Sequence, residues 1–312
     1  MSTPVKLVSL FVAFACLLLA INFGLRSSMG FFMAPVSSHF GYGREVFAFS
    51  LALQNLCWGL FQPLAGAIAD RFGTAKVVTG GSLLYALGLY ITSTADSFLG
   101  LHIGAGILIG MAIAGTGFGV VLPALARAVA PEKRAFALGL GTAAGSAGQL
   151  LVIPIAQEFI ASYGWQTALL LLAAGSLCML LFAAPFKGDA ANPSTVTTAA
   201  PQQSLPDALK EASSHLHYWL LIAGFFVCGF QLAFITVHMP AFLSDQGFDA
   251  KVAVTSLSLI GLFNIFGCLL FGSWSGKYSK KNLLGIIYAL RAVIITLFML
   301  VPISTTSIYL FS

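Results

Sequence analysis

The stretch GAIADRFGTAK, residues 66–76, decides how the rest of the chain is read. It separates two apolar runs and places Asp70 beside Arg71, with Gly66, Gly73 and Lys76 around them. A second polar break between apolar runs, GSWSGKYSKKN at 272–282, follows 206 residues later. Two further landmarks share the spacing: FMAPVSSHFG sets Pro35 and Gly41 where VHMPAFLSDQG sets Pro240 and Gly247, offsets of 205 and 206. The second part of the chain therefore repeats the first in the same order.

The runs on either side of these breaks belong in a membrane. Hydrophobic residues make up 58% of the chain and charged residues 8%, with a mean hydropathy of +0.94, whereas soluble domains carry roughly 25% charged residues. Nine segments are long enough to cross a hydrocarbon core: about 7–38, 45–69, 76–94, 98–128, 135–157, 167–185, 217–243, 251–273 and 283–303. The apolar start runs to Val36, beyond the length of a signal-peptide core, so it reads as an uncleaved first helix. Cys16, Cys57, Cys178, Cys228 and Cys268 all fall inside spans and read as packing residues. No His/Cys cluster, phosphate loop or nucleophile with a base occurs, so no metal, cofactor or enzymatic chemistry is expected. The glycine runs of the fourth and fifth spans read as close-packing surfaces.

Basic residues set the expected orientation. With a cytoplasmic N-terminus the inner side holds Lys6, Arg71, Lys76, Arg127, Lys133, Arg134, Lys187, Lys210, Lys277, Lys280 and Lys281, against only Arg44 and Lys251 outside. The net charge of +5 needs no nucleic-acid partner. Residues 186–216, rich in Pro, Ser, Thr and Gln, read as a cytoplasmic linker with a short amphipathic helix at Pro206–Ser214. The expected organisation is a six-helix N-terminal bundle (1–185), the linker, and a partial C-terminal bundle (217–312) of helices 7–9 and the start of a tenth.

With its Gly, Asp-Arg, Gly and basic residue, GAIADRFGTAK resembles the signature of the major facilitator superfamily between helices 2 and 3; Thr74 stands where a basic residue is usual. WGLFQPLAGAIADRFG (58–73), APEKRAFALGLGTAAGSAG (130–148) and SYGWQTAL (162–169) resemble the branch holding monocarboxylate porters and oxalate/formate-type antiporters. The resemblance implies an all-α polytopic membrane protein of the major facilitator fold, in a bacterial inner membrane, working by alternating access. It also implies a gating motif of Gly66, Asp70, Arg71, Gly73, Lys76 and Arg134. The Asp70 carboxylate, at the end of helix 2, either accepts hydrogen bonds from a facing helix N-terminus or pairs with a base such as Arg134 across the halves, a latch favouring the outward-open state, or else is only an interfacial anchor. Gly276 occupies the place of Asp70 in the second copy, so latching is expected to be asymmetric. Two family features are missing: the helix-4 arginine, and the helix-8 basic residue of the oxalate relatives, which argues against oxalate. Members have twelve helices, so the chain reads as lacking roughly the last quarter of the fold.

Arg26 lies about 30 Å from Lys6 and about 20 Å from His39 by helix rise, well inside the bilayer. A charge there costs about 2.5–3.5 kcal/mol and faces a partner or a cavity. All ten acidic residues fall at loops or helix ends, leaving the substrate or further helices to supply an anion. Asn22, Arg26, Met29, Gly30, Met33 and Ser37 share one face of helix 1. Gln54, Trp58 and Gln62 form a stripe on helix 2, Thr142, Ser146 and Gln149 one on helix 5, and Gln231 and His238 share a face of helix 7. Arg291 is a second mid-membrane arginine. The expected substrate site is Arg26, Asn22, Gln54, Gln62, Gln149, Gln231, His238 and Arg291. Two arginines without an acid point to small carboxylates, which a guanidinium grips in two places. The expected protein is a monomeric secondary transporter of mono- or dicarboxylates, coupled to a proton or an exchanged anion. The alternatives are an exporter of drugs or neutral solutes, or a non-transporting membrane protein.

Overall fold

The computed structural model describes residues 5–186 and 205–312; residues 187–204 of the expected linker lie outside the described residues. Every element among the described residues is helical, as hydrocarbon demands, because a helix satisfies its backbone N–H and C=O groups within one segment. Helix 1 runs Val5–Ser28, tightens to a 3-10 turn at Met29–Phe32 and continues Met33–Phe40. Helix 2 is Arg44–Phe72 and helix 3 Thr74–Ser93. Helix 4 has four parts: Phe98–Leu101, a wide π-helical stretch His102–Leu108, Ile109–Thr116 and, beyond a break at Gly117, Phe118–Ala128. Helices 5 and 6 together occupy Arg134–Ser176, divided at Gly164, whose φ of 78° only glycine adopts without strain, and Cys178–Phe182 follows. Leu205–Ser213 is the short linker helix; helices 7, 8 and 9 are Leu216–Asp245, Ala250–Trp274 and Lys280–Leu300, followed by Thr305–Phe311.

Among the described residues, seven stretches are long and apolar enough to span a membrane. One of them, Pro131–Phe186, is 56 residues long and holds two helices, and Arg44–Phe72 is a further helix of lower hydropathy. The nine spans expected are thus the nine long helices among the described residues, with boundaries moved by a few residues.

Small residues set the spacing of the N-terminal bundle. Helix 1 lies in the core against helix 5, where Gly148 lets Ala20 approach so closely that a Cβ at 148 would overlap the Ala20 carbonyl. Helices 3 and 4 meet in the same way: a Cβ on Gly88 would lie 3.0 Å from Gly104 O, and one on Gly81 3.1 Å from Ala112 O. Between lipid-like neighbours there is no hydrophobic gain from association, so this close van der Waals contact holds the helices together. Leu18, Leu19, Met29, Phe32, Tyr85, Leu89, Ile109 and Ile113 fill the core between them.

The two halves touch at one end and along one pair of helices. At the end carrying Gly41, Arg44 forks onto Asp245 of helix 7 with contacts of 2.5 and 2.7 Å, and the 3-10 turn of helix 1 brings Gly30 against the Thr236 backbone. Helix 8 follows helix 5, where Gln149 Nε2 donates to Leu257 O at 2.9 Å and Gly261 fits against Ser146 and Leu150. Toward the opposite end helix 7 leaves helix 1: Thr236, Met239 and Leu243 are buried, whereas Leu220, Phe225, Phe226 and Phe230 are exposed.

Because the cost of crowding Gly148 falls on backbone atoms, Gly148→Ala should destabilise the protein by about 1–3 kcal/mol. Gly224→Ala, with nothing within 4 Å, should change stability by no more than about 1 kcal/mol. Thermal denaturation midpoints in detergent check this; equal midpoints for the two variants would contradict the packing described.

Candidate functional site

Arg26 sits halfway along helix 1, only 8% exposed, and its neighbours are neutral. Its Nη2 donates to Asn55 Oδ1 at 2.8 Å, and the guanidinium lies over the Trp58 ring, 5.0 Å from the centroid. Asn55 is itself held in place, because its Nδ2 donates to Leu51 O on the preceding turn at 2.8 Å and leaves Oδ1 turned to the arginine. An amide oxygen and an aromatic face partly replace water around a cation without neutralising it. Arg26 Nε is buried with no partner, so the guanidinium keeps unused donor capacity.

One turn along helix 1, Asn22 donates to Thr116 Oγ1 on helix 4, and its own Oδ1 is buried without a partner. Tyr85 on helix 3 is fully buried there and donates to Asn22 O at 3.4 Å. Phe23 stacks on Phe118, 4.0 Å between centroids, and meets Trp58 edge-on at 6.1 Å. Trp58 Nε1 donates to Gln62 Oε1, and Gln62 Nε2 reaches Ala114 O at 3.2 Å, a carbonyl near the break in helix 4. Arg26, Asn55, Trp58 and Gln62 therefore form one connected group where helices 1, 2 and 4 meet, with Asn22 one turn away on Thr116.

The other expected site residues lie elsewhere. Gln54 is buried and donates to Ala105 O of helix 4 at 2.8 Å, so it joins helices 2 and 4 and does not face the Arg26 group. Gln149 is committed to Leu257 O across the halves. Thr142 bonds back to Leu138 O at 2.9 Å. His238 is exposed beside Phe234. Arg291 and Gln231 do meet, at 3.5 Å, with Cys228 Sγ 3.9 Å from Arg291, but this pair joins helix 9 to helix 7, apart from Arg26.

The signature loop makes its ion pair within the N-terminal half. Asp70 lies 3.6 Å from Arg127 at the end of helix 4, within its own half, and not against Arg134. Helix 4 packs along helix 2 and delivers Arg127 to the loop, whereas Arg134 lies beyond a further turn, at the start of helix 5. Arg127 also contacts Thr74 at 3.4 Å. Gly73, at φ 95°, makes the turn between helices 2 and 3, and Arg71 lies over the Phe72 ring. Both partners of the ion pair are well exposed, so it adds little stability on its own. Gly66 and Gly276 have open space or only loose contact beside them. Asn55 and Arg127 are the functional candidates that the sequence reading passed over. Asn55 was accessible to it, since it stands three residues before Trp58 on the same face of helix 2.

Comparison with known proteins places this geometry in a family. The model of the Major Facilitator Superfamily matches residues 15–312. Monocarboxylate transporter 11 of Homo sapiens is 28% identical over 264 residues, covering 81% of this chain and 54% of that protein. The uncharacterized MFS-type transporter YhjX of Escherichia coli is 24% identical over 263 residues, covering 84% and 65%. The probable sulfoacetate transporter SauU of Cupriavidus necator is 26% identical over 274 residues, covering 83% and 60%. The chain thus spans 54% to 65% of the length of these three relatives. A crystal structure of the peptide transporter POT in complex with sulfate shares the fold at a TM-score of 0.50 and 18% identity, covering 81% of this chain and 49% of that one. The chain is a multi-pass membrane protein that belongs to the Major Facilitator Superfamily.

Proposed function

We propose that the protein is a secondary transporter that moves small organic anions by alternating access, with Arg26 as the anchor for a substrate carboxylate. The observation that carries this reading is the unused donor capacity of a buried guanidinium whose partners are an amide and an indole ring. A small carboxylate entering beside it would supply the missing charge and occupy the free N–H positions. Relatives named as monocarboxylate transporters and a probable sulfoacetate transporter support a small anionic solute. Contact between the halves at the Arg44 end, with helices 1 and 7 diverging toward the Asp70 end, supports a state closed on one side. The basic residues collected at the Asp70 end support assigning that side to the cytoplasm of a bacterial inner membrane. In such a cycle the Arg44–Asp245 fork is made when the outer side closes and released when it opens, and a proton or a second anion is the coupling partner.

Orientation is checked by labelling single cysteines, in a background without native cysteines, with an impermeant thiol reagent on whole cells. Tyr42→Cys should react from outside and Tyr278→Cys should not; the reverse pattern would invert the assignment.

The anchor is checked by equilibrium binding of radiolabelled propionate to purified protein, normalised to folded molecules. Arg26→Lys keeps the charge and loses the planar fork, so affinity should fall; Arg26→Ala should lose about 2–4 kcal/mol, roughly 30- to 1,000-fold. Near-normal affinity in Arg26→Ala would overturn the anchor.

A further inference from the structure

The break in helix 4 is unexplained by packing alone. Gly117 has an extended backbone (φ −91°, ψ −168°), so the helix stops at Thr116 and a new one starts at Phe118, at the level of Asn22 in the middle of the bundle. The new helix is 11 residues long, and its first N–H groups have no intrahelical acceptor. Val120 and Val121 bond back to Gly117 O at 3.2 and 3.1 Å, while the N–H groups of Phe118 and Gly119 find no acceptor among the described residues. Bare N–H groups inside a membrane are costly unless something fills them.

Their direction is fixed by the topology. Helix 4 runs parallel to helix 2, as the pairs Ser50–His102, Gln54–Ala105 and Gln62–Ala114 show, and helix 2 returns antiparallel to helix 1 through the turn at 41–43. N–H groups point toward a helix's N-terminus, so those of Phe118 and Gly119 point along the direction that leads from Asn22 to Arg26. Arg26 lies about 6 Å farther along that direction by helix rise. A nine-tenths-buried arginine with an unpartnered Nε and the positive end of a helix thus approach one region, with no acid near either. Asn22 stands at the level of the break, hydrogen-bonded to the last residue before it and with Oδ1 unpartnered. The rings of Phe23, Phe118 and Trp58 stand together beside the break.

We propose that the N-terminus of the second half of helix 4 is the other prong of the anion site, its Phe118 and Gly119 N–H groups donating to an oxygen of the same carboxylate that Arg26 holds. Helix N-termini bind anions because exposed N–H groups and the helix dipole act together. The inference rests on the reading of Arg26 as the anion anchor and adds a backbone element that no side-chain substitution along the polar stripes would reveal. It also gives the break a purpose: an unbroken helix would have used these N–H groups on its own carbonyls.

The test removes the N–H and keeps the fold. Proline at the first position of a helix lacks only an N–H that is unpaired there, and the extended Gly117 is the conformation a following proline favours. Phe118→Pro loses both N–H and ring; Phe118→Ala loses the ring alone. Propionate binding to the full chain in lipid nanodiscs is measured for both, with Arg26→Gln as the control on the anchor. Phe118→Pro should bind at least about tenfold more weakly than Phe118→Ala, the scale of one charge-assisted hydrogen bond. Equal affinities for the two, with binding abolished in Arg26→Gln, would remove helix 4 from the site and leave the anchor standing. Normal binding in Arg26→Gln as well would overturn both. If Phe118→Pro does not fold, an amide-to-ester replacement at Phe118, which keeps the ring and deletes the N–H, is judged by the same tenfold criterion against the wild-type chain.

Discussion

A guanidinium held away from water without a carboxylate is the constraint around which the N-terminal bundle is arranged. Burying Arg26 at mid-membrane costs about 2.5–3.5 kcal/mol, and neutral groups return only part of that. A cation over an indole ring contributes on the order of 0.5–2 kcal/mol and a hydrogen bond to a charged group about 1.5–3 kcal/mol. Neither cancels the charge. The group can be kept at this depth because the surrounding packing is tight: helix 1 is clasped by helix 5 at Gly148 and Gly24, and Tyr85 and Thr116 close the side away from helix 2. What remains open is electrostatic demand, and it is directed at the same place as the free end of a broken helix.

The contacts between the halves differ in kind, as the proposed opening and closing would need. The Arg44–Asp245 fork is exposed to solvent and therefore weak, easily broken and remade. The contact of helices 5 and 8 is a buried, small-residue seam in which Gln149 reaches a backbone carbonyl, a joint better fitted to pivot than to part. Asp70 and Arg127 tie the turn between helices 2 and 3 to the end of helix 4 within one half. A pairing inside the half stiffens a rigid body.

The fold was legible because its signals are long-range and redundant: apolar runs of membrane length, a basic bias between the two sides, and landmarks such as Pro35 and Pro240 at one offset. Each survives errors of a few residues. The site was legible only at Arg26, whose charge is out of place in any membrane helix. Polar residues without charge gave no such contrast. Gln54, Gln62 and Gln149 look alike in sequence, yet Gln54 and Gln149 are spent on neighbouring carbonyls while Gln62 belongs to the Arg26 group. Which of these roles a glutamine takes depends on a helix rotation of a few tens of degrees, finer than a stripe of residues resolves. Asn55 carries no charge, so its residue type does not mark it as the partner of an arginine, and the position of Arg127 is decided by the break at Gly117 and the course of helix 4.

The most direct measurement of the central claim is the distance between the Arg26 guanidinium and a bound acid. Rotational-echo double-resonance NMR on arginine-¹⁵N protein in lipid, with propionate carrying ¹³C at the carboxylate, reads it, and Arg26→Lys identifies the signal. A bidentate contact predicts a carbon to guanidinium-nitrogen distance of about 4 Å or less and dephasing that disappears in Arg26→Lys. Bound propionate that leaves the Arg26 nitrogens undephased would contradict the account.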